Sequence, residues 1–177
     1  MMDKRDYAII GLLLVIIAML SYGVINAYND AQPEVFDFSD YIVTAPAGSH
    51  YHGLNNNISF YLHENDSIPV FAVSKNDSFN VNNFDIMYNS YKNGSVSKED
   101  MIKGMNGGIG DTSSFLDFNV GDFKGEPEMS MLFQNPNNSS ERYLVHLVKH
   151  NNDKVFMIME LMDNPTSSQM YNNLILK

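Results

Sequence analysis

The hydrophobic pattern opens with an unbroken block: no charged residue occurs from Tyr7 to Asn29, and Ala8 to Met19 is apolar on every side. A helix buried in a soluble core would carry a polar stripe, and this one has none. Built as a helix, Tyr7–Tyr28 is about 34 Å long, enough to cross a hydrocarbon core of about 30 Å, so the pattern predicts one membrane span. Residues 29–36, with Pro33 and several acidic or amide side chains, then read as a linker. Beyond them the period shortens to two. Strands are expected over Phe38–Thr44, Ile58–His63 and Val70–Ser74, with Ala45-Pro46-Ala47-Gly48 closing the first.

The period next lengthens to that of a helix. Phe84, Met87, Tyr88 and Tyr91 fall at i, i+3, i+4 and i+7 behind Asn82 and Asn83, and Gly94 ends the run. Ser97-Lys98-Glu99-Asp100 resembles a capping box, and Met101, Ile102 and Met105 supply the inner face of a second short helix, with Gly107-Gly108 as its stop. Alternation returns at Phe115–Val120 and Glu128–Gln134. It is strongest in Arg142–His150 and Lys154–Met162, two runs about an Asn151-Asn152-Asp153 turn. Both faces of that hairpin are largely apolar, Tyr143, Val145 and Leu147 on one and Leu144, His146 and Val148 on the other, which predicts a central position. Asn164-Pro165 then opens a closing helix whose inner face is Met170, Tyr171, Leu174 and Ile175.

Strands, helices, strands and a last helix predict an α+β class, an antiparallel β-sheet flanked by α-helices behind an N-terminal transmembrane helix. The strand ending in Tyr41-Ile42-Val43-Thr44-Ala45-Pro46, the Ile58-Ser59-Phe60 strand, the Tyr143–Leu161 hairpin and the Pro165–Ile175 helix together resemble the PsbP-like fold, in particular the membrane-anchored PsbP-related proteins of archaea. The resemblance implies a central sheet sandwiched by helices and an accessory or adaptor role. It carries no catalytic residue across.

Charge sets the orientation. Lys4 and Arg5 precede the apolar block and the next basic residue is Lys75, so the positive-inside rule puts residues 1–6 in the cytoplasm and residues 37–177 outside as one extracytoplasmic domain. Ile25-Asn26-Ala27 has a bulky residue where a signal-peptidase site needs a small one, so residues 7–28 are expected to remain as a signal-anchor. Eleven Lys and Arg against 21 Asp and Glu give a net charge of −10, all of it carried by the residues that follow the apolar run, which disfavours nucleic acid as a partner. The chain has no cysteine, which excludes disulfides, zinc–thiolate sites and a thiol nucleophile.

Candidate chemistry is sparse. His50-x-His52 with His63 nearby offers a weak metal site, and His146 and His150 share one strand face four residues apart. Met129-x-Met131 and Met157-x-Met159 place thioethers on one face of each strand, an arrangement that suits Cu(I) but that core packing explains better. Gly104–Asp111 lacks the lysine and hydroxyl of a phosphate loop and reads as turn chemistry. No nucleophile elbow and no His-Glu-x-x-His occurs. Asn57, Asn65, Asn76, Asn93, Asn137 and Asn138 each open an Asn-x-Ser triplet, a glycan acceptor in an exported domain. The resulting expectation is a single-pass extracytoplasmic binding or scaffold module without enzymatic activity or a cofactor, partnered by an envelope protein or surface ligand. The alternatives are a metal-dependent surface hydrolase using the histidines and a structural envelope subunit.

Overall fold

The computed structural model describes residues 17, 19–21, 32–54, 57–62, 66–75, 80–109, 115–135 and 137–177. Ten strands are β1 (Glu34–Asp37), β2 (Tyr41–Ala45), β3 (His50–Leu54), β4 (Asn57–Tyr61), β5 (Phe71–Lys75), β6 (Phe115–Phe123), β7 (Glu126–Asn135), β8 (Asn138–His150), β9 (Lys154–Leu161) and β10 (Ile175–Leu176). Among the described residues from 32 onward the helices are α1 (Val81–Lys92), α2 (Lys98–Ile109) and α3 (Pro165–Asn173). The strands form a three-stranded sheet, β1-β2-β10, and a seven-stranded sheet, β3-β4-β5-β9-β8-β7-β6, antiparallel throughout.

This corrects the expected α+β class. The described chain is mostly strand, with two antiparallel sheets and only a few helices laid over them. Among the described residues no helix is long and apolar enough to cross a membrane. Apart from residues 17 and 19–21, which are helical, the Tyr7–Tyr28 run lies outside the described residues.

The extra strand content comes from segments whose pattern is weak for a physical reason. In β1 only Phe36 is drawn inward, while Glu34, Val35 and Asp37 stay exposed, so this edge strand, which begins inside the stretch read as a linker, shows almost no alternation. β3 is similar, exposed from Tyr51 to Leu54. β6 and β7 run on to a tight turn at Lys124-Gly125, where both residues have positive φ (54° and 92°) and Asp122 Oδ1 accepts from Gly125 N at 2.7 Å. α2 continues through Gly107-Gly108 instead of stopping there, since glycine costs a helix about 1 kcal/mol without forbidding it.

The central hairpin stands where the pattern placed it, with β9 and β8 in the middle of the large sheet. One face packs Leu147 and Val155 with Met129, Met131, Phe115 and Phe118 under Phe84 of α1. The other packs Val148, Phe156 and Ile158 with Phe60, Phe71 and Val73 against Tyr41, Val43 and Ala45 of β2 and Met170 and Leu174 at the C-terminal helix. At about 1.5 to 3 kcal/mol for each large side chain fully removed from water, this two-sided burial is the main source of stability. The helix ends follow local rules: Asn80 caps α1 by accepting from Asn83 N at 2.9 Å, and Ser97 Oγ accepts from Asp100 N at 3.1 Å ahead of α2. Asn164 caps α3 by accepting from Thr166 N and Ser167 N, with Pro165 in the first turn.

Ser167, fully buried, ties α3 to the sheet by donating to Val70 O at 2.7 Å and accepting from Leu161 N at 3.1 Å. Ser167→Ala strands the Val70 carbonyl only in part, because Leu161 N also donates to it. The expected cost is about 1 kcal/mol. It should appear as a lower urea midpoint at unchanged slope.

Candidate functional site

Under α3, three adjacent strands of the large sheet each place one ionisable group on the same inner face. Glu128 comes from β7, His146 from β8 and Glu160 from β9. The register sets Glu128 opposite Val148 and Glu160 opposite Leu144, so each carboxylate lies diagonally beside His146 on the neighbouring strand, within reach of a long side chain. All three residues are buried, at 8%, 4% and 6% exposure. His146 Nδ1 contacts Glu128 Oε1, and its Nε2 lies 2.8 Å from Glu160 Oε1. Tyr171 of α3 stacks on the imidazole, ring centres 4.2 Å apart, and its hydroxyl donates to Glu128 Oε1 at 2.6 Å.

Only an imidazolium donates from both ring nitrogens at once, so the two carboxylates together select the charged form of His146. Burial opposes that charge, but the bonds to Glu128 and Glu160 outweigh it and raise the histidine pKa above its ordinary 6.5. Burial likewise opposes ionised Glu128, and the bonds from His146 and Tyr171 reverse the sign, holding its carboxyl below the usual 4.5. Tyr171 is pushed up, by burial first and by Glu128 second. The cluster is a lock for α3. Its carboxylates sit on opposite sides of one ring, so their oxygens and the ring nitrogens do not converge on a point where a metal could sit, and neither nitrogen is free to act as a base.

A second histidine–carboxylate pair lies on the same face, one step towards the end of the sheet. His150 and Glu126 follow His146 and Glu128 at i+4 and i−2, as the strand period requires. Asn151 Nδ2 donates to His150 Nε2 at 2.7 Å, so the ring hydrogen stands on Nδ1, facing Glu126 Oε1 at 3.4 Å. That gap exceeds an ordinary hydrogen bond, and buried Nδ1 has no bonded partner. The pair opens on a cavity of about 170 Å³ lined also by Phe123, Lys124, Ile175 and Leu176. Lys124 Nζ donates to Leu174 O at 2.7 Å and lies over the Phe123 ring, which pins the β6–β7 turn against β10.

The other expected residues are placed differently. His50 and His52 stand on strand β3; their rings meet edge-on at 5.8 Å, and His50 stacks on Tyr61. His63 lies outside the described residues. Among the described residues no group of three or more histidine, aspartate or glutamate side chains is arranged to hold a metal ion. Met129 and Met131 are core residues beneath α1 and α2, while Met157 is 36% exposed. Gly104 to Ile109 belong to α2, and Gly110 and Asp111 lie outside the described residues. Of the glycan candidates, Asn57, Asn93, Asn137 and Asn138 are exposed, Asn138 with its amide donating to Glu141 at 2.5 Å; Asn65 and Asn76 lie outside the described residues. Glu126, Glu128 and Glu160 were not singled out by sequence pattern, and Tyr171 stood there only as part of the inner face of the closing helix. Two carry a readable signal: Glu128 and Glu160 share the strand parity of buried apolar neighbours. No model of a known protein family and no curated protein matches the chain.

The lock fixes a pH profile. The His146 contribution is complete below pH 6.5 and is lost as pH rises through its raised pKa, whereas the Glu128 contribution is complete above pH 4.5 and is lost as pH falls through its lowered pKa. Urea midpoints should therefore be highest between those two values and decline on both sides. In His146→Gln the decline that sets in above pH 6.5 should vanish, leaving only that of the tyrosines above about pH 10, together with about 3 to 5 kcal/mol of stability from carboxylates left without their cation.

Proposed function

We propose that the chain is a binding or scaffold module held at a membrane by its N-terminal apolar run, with the folded domain on the extracytoplasmic side. Its ligand seats in the cavity beside His150 and Glu126. Support for the address is the uncharged Tyr7–Asn29 run preceded by Lys4 and Arg5. The observation that carries the binding reading is the cavity itself, where a buried, unpartnered His150 Nδ1 and the Glu126 carboxylate face apolar walls from Phe123, Ile175 and Leu176. Sites for whole cofactors or drug-sized ligands run from about 300 Å³ upward. At about 170 Å³ this one suits a single side chain of a partner or a small molecule with an apolar body and one hydrogen-bonding end.

Affinity capture with the full chain from envelope extracts tests the site. Glu126→Gln and His150→Ala are each expected to weaken capture about tenfold or more, the equivalent of one charge-assisted hydrogen bond. A partner retained equally by both variants would place the site elsewhere. Recovery of no envelope protein or small molecule at all would remove the reading, as would survival of the domain when intact cells are treated with protease.

A further inference from the structure

We infer that β3 is a docking edge for a second copy of the chain, pairing antiparallel with its own counterpart about a two-fold axis at His52. The argument begins with hydrogen bonding. Val70 N donates to Phe60 O at 2.9 Å, so the backbone groups of Phe60 face β5 and those of Ser59 and Tyr61, its neighbours, face β3. Because His50 pairs with Tyr61 and His52 with Ser59, the backbone groups of His50 and His52 point into the sheet. Those of Tyr51 and Gly53 point out of it, at the end of the strand order.

An exposed row of backbone donors and acceptors is a template for another strand, and proteins blunt such edges with charges, proline, bulges or covering elements. The other edges here are blunted. β6 has a bulge between Phe115 and Asp117 and an ion pair from Lys98 of α2 to Asp117. β1 follows Pro33 and carries Glu34 and Asp37. β10 has two residues, and Lys124 occupies the carbonyl just before it. Among the described residues β3 has none of these devices: His50-Tyr51-His52-Gly53-Leu54 contains no Asp, Glu, Lys, Arg or proline, its pairing with β4 is regular, and Tyr51 and Leu54 are 44% and 75% exposed.

The sequence of this edge is self-complementary. An axis at His52 sets Tyr51 opposite the second copy's Gly53, where the outward groups exchange two hydrogen bonds on each side of the axis. The Tyr51 ring packs on Phe36, Phe38 and Phe60 of its own copy, and the residue it faces across the seam is a glycine, so the pairing sets no two bulky side chains against each other. Gly53 itself brings no side chain to the seam, and Ile58 Cδ1 of the same copy lies 2.9 Å from where its Cβ would stand. Leu54 meets the second copy's His50, and the two seven-stranded sheets become continuous. This inference does not depend on the cavity or its ligand.

The absence of cysteine makes the register testable in the full chain. At the axis the two His52 Cα atoms form a non-hydrogen-bonded pair about 4.5 Å apart, inside the disulfide range of about 4.4–6.8 Å. The two Leu54 Cα atoms are offset by four positions, about 13 Å, and cannot be bridged. After mild oxidation, His52→Cys should run mainly as a cross-linked dimer on non-reducing gels and Leu54→Cys as monomer. Cross-linking of neither, of both equally, or of Leu54→Cys alone overturns the inference. Should His52→Cys disturb the fold, mixed His50→Cys and Leu54→Cys chains must give a heterodimer band that neither gives alone, and its absence has the same force.

Discussion

The architecture rests on one constraint: the β8–β9 hairpin is apolar on both faces and must be covered twice. Val145, Leu147 and Val155 belong to one side, Val148, Phe156 and Ile158 to the other. A single layer of helices would leave half of this surface in water, at a cost of about 25 cal/mol per Å². The chain supplies two unlike covers. The α1–α2 pair, inserted between β5 and β6, takes one face; the first strands and the last segment, meeting as β1-β2-β10, take the other together with α3. The small sheet thus joins both ends of the described domain over the middle of the large one, and Lys177 N completes it by donating to Asp40 O at 2.9 Å.

Within the second cover the His146 cluster is an anomaly that hydrophobic packing alone would not retain. Burying an imidazolium with two carboxylates costs several kcal/mol per ion before their attraction repays it, and an apolar trio of the same volume would serve stability as well. What the charged trio adds is direction. Apolar contacts would let a nine-residue helix slide by a turn, whereas the Tyr171 hydroxyl reaches Glu128 Oε1 in one position only, with Ser167 Oγ on Val70 O as the second fixed point. Tyr171 stands at i+4 from Ser167, so both face the sheet and together set the helix in register. The Asn164 cap and Pro165 fix where that helix begins.

How much of this was legible depends on whether a residue's neighbours in sequence share its environment. The central hairpin and the parity that separates Val145 from His146 were readable because alternation persists over eight residues or more, and the Ser97 and Asn164 helix starts because their cap residues stand in the expected places; α1, expected behind Asn82 and Asn83, is capped instead by Asn80, with those two asparagines inside the helix. β1 and β3 were not, since an exposed edge strand has no buried face to impose a period; the resulting shortage of strands produced the α+β expectation. The length of α2 was misread because glycine marks a helix end only when its conformation requires it. At the candidate site the two histidines were placed correctly on one face, but their partners were not. Glu128 and Glu160 are joined to His146 by register across three strands, and a single sequence does not contain register. Tyr171 looked like one more core aromatic.

The lock and the cavity share α3 and its flanking residues. The cavity walls Ile175 and Leu176 follow directly on α3, whose position is set by Tyr171 and Ser167. The opposite wall, Phe123, packs on Tyr171 with ring centres 4.9 Å apart, and Lys124 reaches across to Leu174 O. Loss of the proton from His146 leaves one N–H between two carboxylates, and the carboxylate facing the bare nitrogen meets lone pair with lone pair. Any shift of α3 that relieves this contact must carry Tyr171, then Phe123 and Leu174, and so the cavity walls on both sides. For the ligand proposed for this cavity, affinity and the protonation of His146 would be linked through that shared element, and linkage is reciprocal: a ligand that held the walls together would also hold the proton on the ring.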